Sequence, residues 1–414
     1  MDKVQFVLKH EDTVAAVFIM DKYMNVSDIR IINKQALPLI SVRKGHSTEF
    51  MLAKWISERG VPDKRRRLRD ELDILNCKNS FELMIRNYGL SLVDHFWMHP
   101  VDVYITWNEM NFYINDFRSA MTLELKDDFK EIDKRINFIP SASLKGNLKK
   151  KWIIGDNGVR YLVKGNYNNT CRQSISEVIA SEIHKRQGKF EYSPYEYIRI
   201  YSDNVPIIGC KCPNFTSIDT EFIPAIDLVE AYPKDNSISE LEHYIRICTK
   251  YGIDEQYMRD WIDYCILTNF IITNVDWHLN NFGIIVDSDT RTHGKIAPIF
   301  DSGNSLFYNK TKGDIKVDCG LLNITVTSWK DYEIQLLQYV RNPNIVDISK
   351  LPSAEEILNE LQKDKCVSQL DNERIVKAYS KKVEYLEEFQ SGVKIYSYDY
   401  LTKHGVKLRS RKEH

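Results

Sequence analysis

The first 125 residues alternate between strand-like and helix-like hydrophobic patterns. A nearly continuous apolar run at 13–20 is typical of a strand, whereas 47–57, 70–75 and 81–87 show the three-to-four-residue apolar spacing of helices. We therefore expect residues 1–125 to form an accessory α+β region.

From residue 126 the pattern is that of a small antiparallel sheet with one helix. An Asp-Asn-Gly turn separates the first two predicted strands, because these residue types tolerate the positive φ of a tight hairpin. A helix is expected at 174–186, where Gly188 follows the last apolar position. The predicted strands are 151–154, 159–164, 195–201 and 205–212.

Beyond residue 215 the pattern is mainly helical. Helices are expected at 239–251, at 254–270, from 353 onward and at 372–389. The sequence thus predicts an α+β fold in three parts. These are the accessory region at 1–125, a small antiparallel β lobe with one helix at 126–215, and a larger helical lobe at 216–414.

The composition is that of an ordinary globular protein. Hydrophobic residues make up 43% of the 414 positions, and 57 basic against 58 acidic side chains give a net charge of -1. This balance gives no reason to expect a large nucleic-acid or membrane surface. No apolar stretch approaches a bilayer span and no signal-like segment follows Met1, so we expect a cytoplasmic protein. The eight cysteines are not spaced as a disulfide framework or a zinc array.

The residues with the most chemical potential flank a predicted β-hairpin. Asp276 and Asn281 precede its first strand, 284–286, and Asp301 follows its second strand, 295–300. Because a hairpin brings its ends together, Asn281 and Asp301 are expected to lie close to each other. Their amide and carboxylate oxygens would suit Mg²⁺ that is held partly by nucleotide phosphates.

Asp276 is then left as a second, outer carboxylate. It could take a proton from an attacking hydroxyl group. The simpler alternative is that Asp276, Asn281 and Asp301 are only turn and cap residues, which these types favour. Against that alternative, Asn281 and Asp301 each stand beside a phenylalanine, which is an awkward position for a merely solvated group.

Two motifs resemble those of the HipA-like kinases, bacterial serine/threonine kinases related to the toxin of a toxin–antitoxin pair. The catalytic-loop motif Asn-x-Asp-x-His-x-x-Asn-Phe is matched by Asn274, Asp276, His278, Asn281 and Phe282. The metal motif Ala-Pro-x-x-Asp is matched by Ala297, Pro298 and Asp301. The resemblance extends over about 138–389 and implies a bilobal protein-kinase-like fold that uses ATP and Mg²⁺.

The resemblance also implies a role for each matched residue. Asp276 is similar to the catalytic base, and Asn281 and Asp301 are similar to the magnesium ligands. Lys164 is similar to the lysine that contacts the α- and β-phosphates. His278 is expected either to hold Asp276 or a backbone carbonyl in place, or to act as a second base.

Two glutamates compete as the partner of Lys164. Glu177 matches the family's helix glutamate, but at about 100° per residue it falls away from the apolar stripe of the helix. Glu182 falls on that stripe, where a carboxylate needs a cationic partner, and is therefore a rival. We favour Glu177.

The small polar loop at 141–147 resembles the family's phosphate-covering loop. Gly146 would let backbone N–H groups approach an anion. Ser143 best matches a serine that some relatives phosphorylate, which ejects the loop from the cleft by charge repulsion. Whether Ser141 or Ser143 is modified stays open.

These features predict an ATP- and Mg²⁺-dependent protein kinase that acts on a Ser or Thr hydroxyl of another protein. The resemblance implies autophosphorylation control and a cognate antitoxin as partner. One alternative is a lipid or small-molecule kinase, because the motif Asp-x-His-x-x-Asn also resembles the catalytic loop of phosphoinositide kinases. The other alternative is a nucleotide-binding pseudokinase. The presence of Asp276, Asn281 and Asp301 argues against the pseudokinase. No helix-turn-helix is recognisable, so no direct nucleic-acid contact is expected.

Overall fold

Strands and helices alternate along the chain in a mixed α+β arrangement with antiparallel sheets. The computed structural model describes residues 3–21, 25–43, 45–60, 72, 77–115, 150–166, 170–202, 205–311 and 313–408. The strands in these segments are β1 (Lys3–His10), β2 (Thr13–Asp21), β3 (Val26–Ile31), β4 (Phe96–Pro100), β5 (Lys150–Ile154), β6 (Arg160–Lys164), β7 (Glu196–Ser202), β8 (Val205–Pro213), β9 (Thr220–Pro224), β10 (Gly283–Asp287) and β11 (Gly294–Ile296).

Helices dominate the second half of the chain. The α-helices are α1 (Thr48–Ser57), α2 (Ser80–Arg86), α3 (Trp107–Met110), α4 (Arg172–Gln187), α5 (Ala225–Ala231), α6 (Glu240–Lys250), α7 (Glu255–Ile272), α8 (Glu333–Leu336), α9 (Ala354–Leu361), α10 (Gln369–Gln390) and α11 (Tyr398–Lys403). Short 3₁₀ turns lie at Leu39–Val42, Cys319–Leu322, Leu337–Tyr339, Pro343–Ile345 and Ile348–Lys350. None of these helices, in the parts of the chain described, is long and apolar enough to cross a membrane.

The predicted α+β class is confirmed, and the strongly periodic helices begin close to their predicted starts. Ser47 and Asp254 cap α1 and α7 by accepting hydrogen bonds from backbone N–H groups three residues on, which explains where those helices start. The prediction of a strand over 295–300 was wrong, since β11 ends at Ile296. Pro298 has no N–H to offer a strand partner, which ends the ladder. The helix predicted at 70–75 lies, apart from Leu72, outside the described residues.

Two compact units divide the chain, and each is described by itself. The first contains Met1–Lys164, Pro213–Asn236 and Ile285–Gly294. The second contains Gly165–Cys212, Ser237–Ile284 and Lys295–His414. The three-part division expected from the sequence and the bilobal arrangement stay predictions.

The first unit is built on an antiparallel sheet with strand order β3-β2-β1-β4. Phe6 lies opposite Phe18 in the β1–β2 register, and the two rings stack with centroids 5.8 Å apart. Leu52 and Ile56 of α1 pack on the same face. Burying a side chain of this size stabilises the fold by about 1.5–3 kcal/mol, so this face supplies much of the unit's stability.

A charged cluster is buried in the same unit around Glu221 of β9. Nε of Arg291 lies 2.6 Å from Oε1 of Glu221, and Nε2 of His10 lies 3.2 Å from Oε2. Burial alone would raise the pKa of Glu221, but the charge of Arg291 and the hydrogen bond with His10 outweigh it and lower the pKa to about 2. Glu221 is therefore ionised and compensated inside the unit.

Replacing this carboxylate tests the cluster. Glu221→Gln is expected to lower the free energy of unfolding by about 3–5 kcal/mol in urea titrations, because Arg291, whose side chain is 16% exposed, loses its buried carboxylate partner. Because the folded pKa lies below the unfolded value of 4.5, wild-type stability should fall as the pH drops from about 4.5 toward 2. Glu230→Gln, which breaks a half-exposed pair with Arg43, is the matched control and should cost less than about 1 kcal/mol. Similar losses in both variants would contradict this account.

Helix α7 forms the centre of the second unit. Trp261, Tyr264 and Phe270 on this helix are almost completely buried, and α6 and α10 pack against it. Lys382 of α10 is also fully buried. It forms an ion pair with Glu333 of α8, and its Nζ lies 3.9 Å from the centroid of the Phe270 ring. The segment that follows α7 carries the predicted catalytic residues.

Candidate functional site

The predicted catalytic loop begins where α7 ends in a left-handed residue. Thr273 has φ +54°, and the N–H of Asn274 donates to the carbonyl of Asn269 over 2.9 Å. A β-branched residue rarely adopts this conformation, so the chain is strained where the loop begins. The strain is held by packing, because Thr273 and Asn274 are both buried.

Two asparagines of the motif close the loop on itself. Oδ1 of Asn274 accepts a hydrogen bond from the backbone N–H of Asp276 over 3.0 Å. Nδ2 of Asn281 donates to the backbone carbonyl of Asp276 over 2.8 Å. Both bonds meet at Asp276, so the backbone of this residue is fixed from both sides.

The bond made by Asn281 also decides which way its amide points. Its Nδ2 is committed to a carbonyl, so its Oδ1 must face the other way. No hydrogen bond to this oxygen is found among the residues described, and the side chain is largely buried. The amide therefore presents an oriented oxygen suited to a hard cation.

The Asp276 carboxylate is held by donors on both oxygens. Nδ2 of Asn304 donates to Oδ2 over 2.7 Å, and the Thr327 hydroxyl lies 3.1 Å from Oδ1. Nε2 of His278 lies 3.8 Å from Oδ1. The side chain is 33% exposed, so the carboxylate is both oriented and accessible.

The geometry of His278 agrees with a holding role. Its Nδ1 accepts a hydrogen bond from the N–H of Asn280 over 3.3 Å. The acceptor nitrogen carries no proton, so in the neutral ring the proton is on Nε2, which faces Asp276. His278 thus braces the loop backbone and turns an N–H toward the carboxylate.

The segment around Asp301 lies beside this loop. At the base of the hairpin, the N–H of Ala297 donates to the carbonyl of Gly283 over 3.0 Å. Further on, the N–H of Val275 donates to the carbonyl of Asn304 over 3.2 Å. Asp301, three residues before Asn304, is thereby brought to the region of the catalytic loop.

Unusual backbone conformations cluster in the same segment. Asp301 has φ +62°, and Leu306 and Phe307 have φ +50° and +56°. Aspartate tolerates this conformation, but for leucine and phenylalanine it is costly. Strained backbone held by its surroundings is often found at functional sites, and here it flanks the predicted metal ligand.

One face of α4 holds the segment that follows Asp301. Oε2 of Glu177 accepts a hydrogen bond from the N–H of Ser302 over 2.8 Å. The Ser176 hydroxyl donates to the carbonyl of Ser305 over 3.2 Å, and Nε2 of Gln173 donates to Oδ1 of Asn304 over 2.7 Å. The helix thus fixes the backbone of two residues and the side chain of a third.

The two candidate glutamates occupy different environments. Glu177 is 2% exposed, whereas Glu182 is half-exposed and pairs with Arg186 one turn on, over 2.8 Å. The stripe argument that placed Glu182 in the interior was wrong, because α4 is buried on nearly all sides and has no single apolar face. Burial and its backbone partner make Glu177 the stronger candidate.

An aromatic cluster around Phe282 packs against the catalytic loop from the interior of the protein. Phe282 contacts the rings of Trp277 and Trp329, with centroids 5.1 and 5.3 Å apart, and Trp261 of α7 lies 5.8 Å from Phe282. The aromatic residues next to Asp276 and Asn281 in the sequence are therefore anchors that point into the core.

The contacts of the catalytic loop do not test the other predicted site residues. Lys164 ends β6 in the first unit, where it is 2% exposed, and its predicted pairing with Glu177 of the second unit stays a prediction. Ser143 and Gly146, with Ser141, lie outside the described residues. Their roles as a phosphate-covering loop stay predictions too.

Sequence reasoning missed Asn304, Thr327 and Gln173. Asn304 and Thr327 are 28 and 51 residues from Asp276, which they contact. Asn304 gave one signal, since it stands three residues after Asp301 in an Asp-Ser-Gly-Asn sequence. Nothing in the local sequence marks Thr327 or Gln173.

No protein-family model matches the sequence, and no curated protein matches it either. Among solved structures, the chain is similar to CtkA, a proinflammatory kinase of Helicobacter pylori, at 16% identity and a TM-score of 0.43, over 58% of this chain and 93% of CtkA. It is also similar to HipA of a Shewanella oneidensis MR-1 toxin–antitoxin system, solved with HipB and operator DNA. That similarity is 12% identity and a TM-score of 0.43, over 97% of this chain and 94% of the other. Similarity at this level carries no conclusion about activity.

The contact between α4 and the Asp301 segment can be tested at Gly303. A Cβ at this position would lie 3.2 Å from Oε1 of Glu177 and 3.3 Å from the carbonyl oxygen of Gln173. Gly303→Ala is expected to cost about 1–3 kcal/mol of unfolding free energy, because the helix carbonyl cannot move aside. Gly313→Ala, where nothing lies within 4 Å of the added carbon, is the control and should stay within about 0.5 kcal/mol of wild type. A neutral Gly303→Ala would show that the packing is loose.

Proposed function

We propose that this protein is an ATP- and Mg²⁺-dependent kinase that transfers the γ-phosphoryl group to a Ser or Thr hydroxyl of a protein substrate. The observation that carries the proposal is the accessible Asp276 carboxylate, which is held on both oxygens close to Asn281, whose amide oxygen points away from the Asp276 carbonyl. Phosphoryl transfer depends mainly on positioning and charge neutralisation, and a fixed carboxylate beside cation ligands supplies both.

Asn281 and Asp301 would hold Mg²⁺. In the described parts of the chain no group of three or more His, Cys, Asp or Glu side chains could hold a metal alone. An amide oxygen and one carboxylate suit Mg²⁺ whose other ligands are phosphate oxygens and water. The ion would supply neutralisation of phosphate charge when bound. The donor set therefore fits a metal that arrives with its nucleotide.

Asp276 would orient the acceptor hydroxyl and take its proton. A base has to lie within hydrogen-bond reach of that proton, which requires an exposed carboxylate with a fixed rotamer. Lys164 would contact the nucleotide phosphates, and Glu177 would position it. Ser143 would be an autophosphorylation site and Gly146 part of the phosphate-covering loop.

Labelled ATP tests the class of substrate. The purified protein is incubated with γ-labelled ATP, Mg²⁺ and a bacterial lysate, and the label is followed into protein and into the organic-soluble fraction. Label in phosphoserine or phosphothreonine of protein supports the proposal. Label only in the organic fraction indicates a lipid kinase, and no transfer to any acceptor indicates a nucleotide-binding protein. Either of the last two results contradicts it.

Asp276→Asn separates chemistry from binding. We expect turnover to fall by about 10²–10⁴-fold, because the proton acceptor is lost. ATP binding by calorimetry should be almost unchanged, since the metal ligands remain. The control is Asp289→Asn, which removes an exposed carboxylate from the turn between β10 and β11 and should leave turnover unchanged. Near-normal turnover of Asp276→Asn would exclude this residue as the base.

Asp301→Ala should act on binding instead. Losing a ligand is expected to weaken Mg²⁺-dependent ATP affinity at least about tenfold, while the Mg²⁺-independent component of binding stays. The measurement is calorimetric titration with ATP in the presence of Mg²⁺ or of EDTA. Equal Mg²⁺ dependence in wild type and variant would show that Asp301 is not a metal ligand.

A cognate antitoxin and self-modification belong to the same proposal, as the resemblance to HipA-like kinases implies. Intact-mass spectrometry of the protein with and without ATP would reveal an added phosphoryl group. Fragmentation would then assign it to Ser143, to Ser141 or to another residue.

A further inference from the structure

We infer that Asn304 and Gln173 form a relay that positions the Asp276 carboxylate from helix α4. The inference rests on the proposed function, because positioning matters only if Asp276 serves in transfer. Neither residue belongs to the two motifs. The relay is a chain of two hydrogen bonds, each 2.7 Å long, from Gln173 to Asn304 and from Asn304 to Asp276.

The chemistry of the middle residue makes the relay directional. The amide of Asn304 has a donor end and an acceptor end, and only the donor end can bind a carboxylate. Its acceptor end receives the N–H of Gln173. Gln173 therefore keeps the Asn304 amide from turning, and a turned amide would place an oxygen against the Asp276 carboxylate.

The α4 end of the relay is anchored. Gln173 is 6% exposed, and one turn on Glu177 binds the backbone of Ser302. Gly303 leaves no room between the helix and the segment, since an added Cβ would lie 3.3 Å from the Gln173 carbonyl oxygen. Helix α4, the Asp301 segment and the Asn304 amide therefore pack tightly together, and the amide nitrogen contacts Asp276.

The backbone next to Asp276 is also hydrogen-bonded to Asn304. The N–H of Val275 donates to the carbonyl of Asn304, so the residue before Asp276 is held by the backbone of the residue that holds its carboxylate. Asn304 therefore contributes both to the position of the loop and to the rotamer of the proposed base. Thr327 is attached at the same two places, because its N–H donates to the carbonyl of Val275 and its hydroxyl lies 3.1 Å from Oδ1 of Asp276. Asn304 differs from it in accepting a hydrogen bond from Gln173, which links the Asp276 carboxylate to α4.

Three variants test the relay. Asn304→Ala removes the donor, and Gln173→Glu keeps the size of the side chain but turns the end that faces Asn304 into an acceptor, which favours the turned amide. We expect each to lower kcat about 10- to 100-fold while the KM for ATP stays within twofold. Asp289→Asn, which changes an exposed side chain at the turn between β10 and β11, is the control and should not change kcat.

Double variants distinguish a relay from a general structural effect. If Asn304 acts through Asp276, Asn304→Ala should have little further effect in the Asp276→Asn background. Gln173→Glu should likewise add little to Asn304→Ala. Fully additive losses in these pairs, or a KM for ATP that rises as much as kcat falls, would overturn the relay.

Crystal structures of the same full-length variants give a readout independent of turnover. In Gln173→Glu we expect the distance between Asp276 and the Asn304 side chain to exceed a hydrogen bond, with the carboxylate turned away. An unmoved Asp276 in both variants would overturn the relay even if the enzyme is a kinase. If wild type transfers no phosphoryl group while the carboxylate still turns away, the proposed function fails and the structural relay stands.

Discussion

The hydrogen bond between Asn304 and Asp276 is the contact on which the candidate site depends. It joins the loop that follows α7 to the segment that follows the hairpin, over a separation of 28 residues. Because Asn281 and Asp301 lie on these two parts, the same bond brings the proposed metal ligands toward each other. A carboxylate held by donors loses rotamer freedom on folding and presents the same face to every incoming molecule.

Helix α4 extends this constraint into the body of the second unit. It is an unusual helix, since polar residues such as Gln173, Ser176 and Glu177 are buried and each has a partner in the Asp301 segment. Buried polar groups are costly unless they are satisfied, so this helix specifies one arrangement of the segment and penalises others. The strained residues at the start of the catalytic loop and in the Asp301 segment are tolerated because this network and the aromatic cluster around Phe282 hold them in place.

The sequence predicted the elements that depend on neighbouring residues, but it did not predict the contacts between residues far apart in the chain. Apolar spacing predicted α1 and α7, whose starts are fixed locally by the caps Ser47 and Asp254, and the motif that contains Asn281 predicted the loop. Pro298 shortened a strand that hydrophobicity alone had extended. The stripe rule misjudged Glu182 because it assumes a helix with one buried face, and α4 is surrounded. Contacts of Asn304 and Thr327 with Asp276 depend on how distant loops meet, which no local pattern encodes.

The central claim is that one amide oxygen and one carboxylate, brought together across the hairpin, bind a divalent cation with a nucleotide. A crystal structure of the full chain with Mn²⁺ and a non-hydrolysable ATP analogue tests it most directly, because the anomalous signal of Mn²⁺ locates the ion. The account predicts an ion coordinated by Oδ1 of Asn281, by the Asp301 carboxylate and by phosphate oxygens, each at about 2.0–2.3 Å. An ion bound elsewhere, or nucleotide bound with these two side chains turned away from it, would contradict the account.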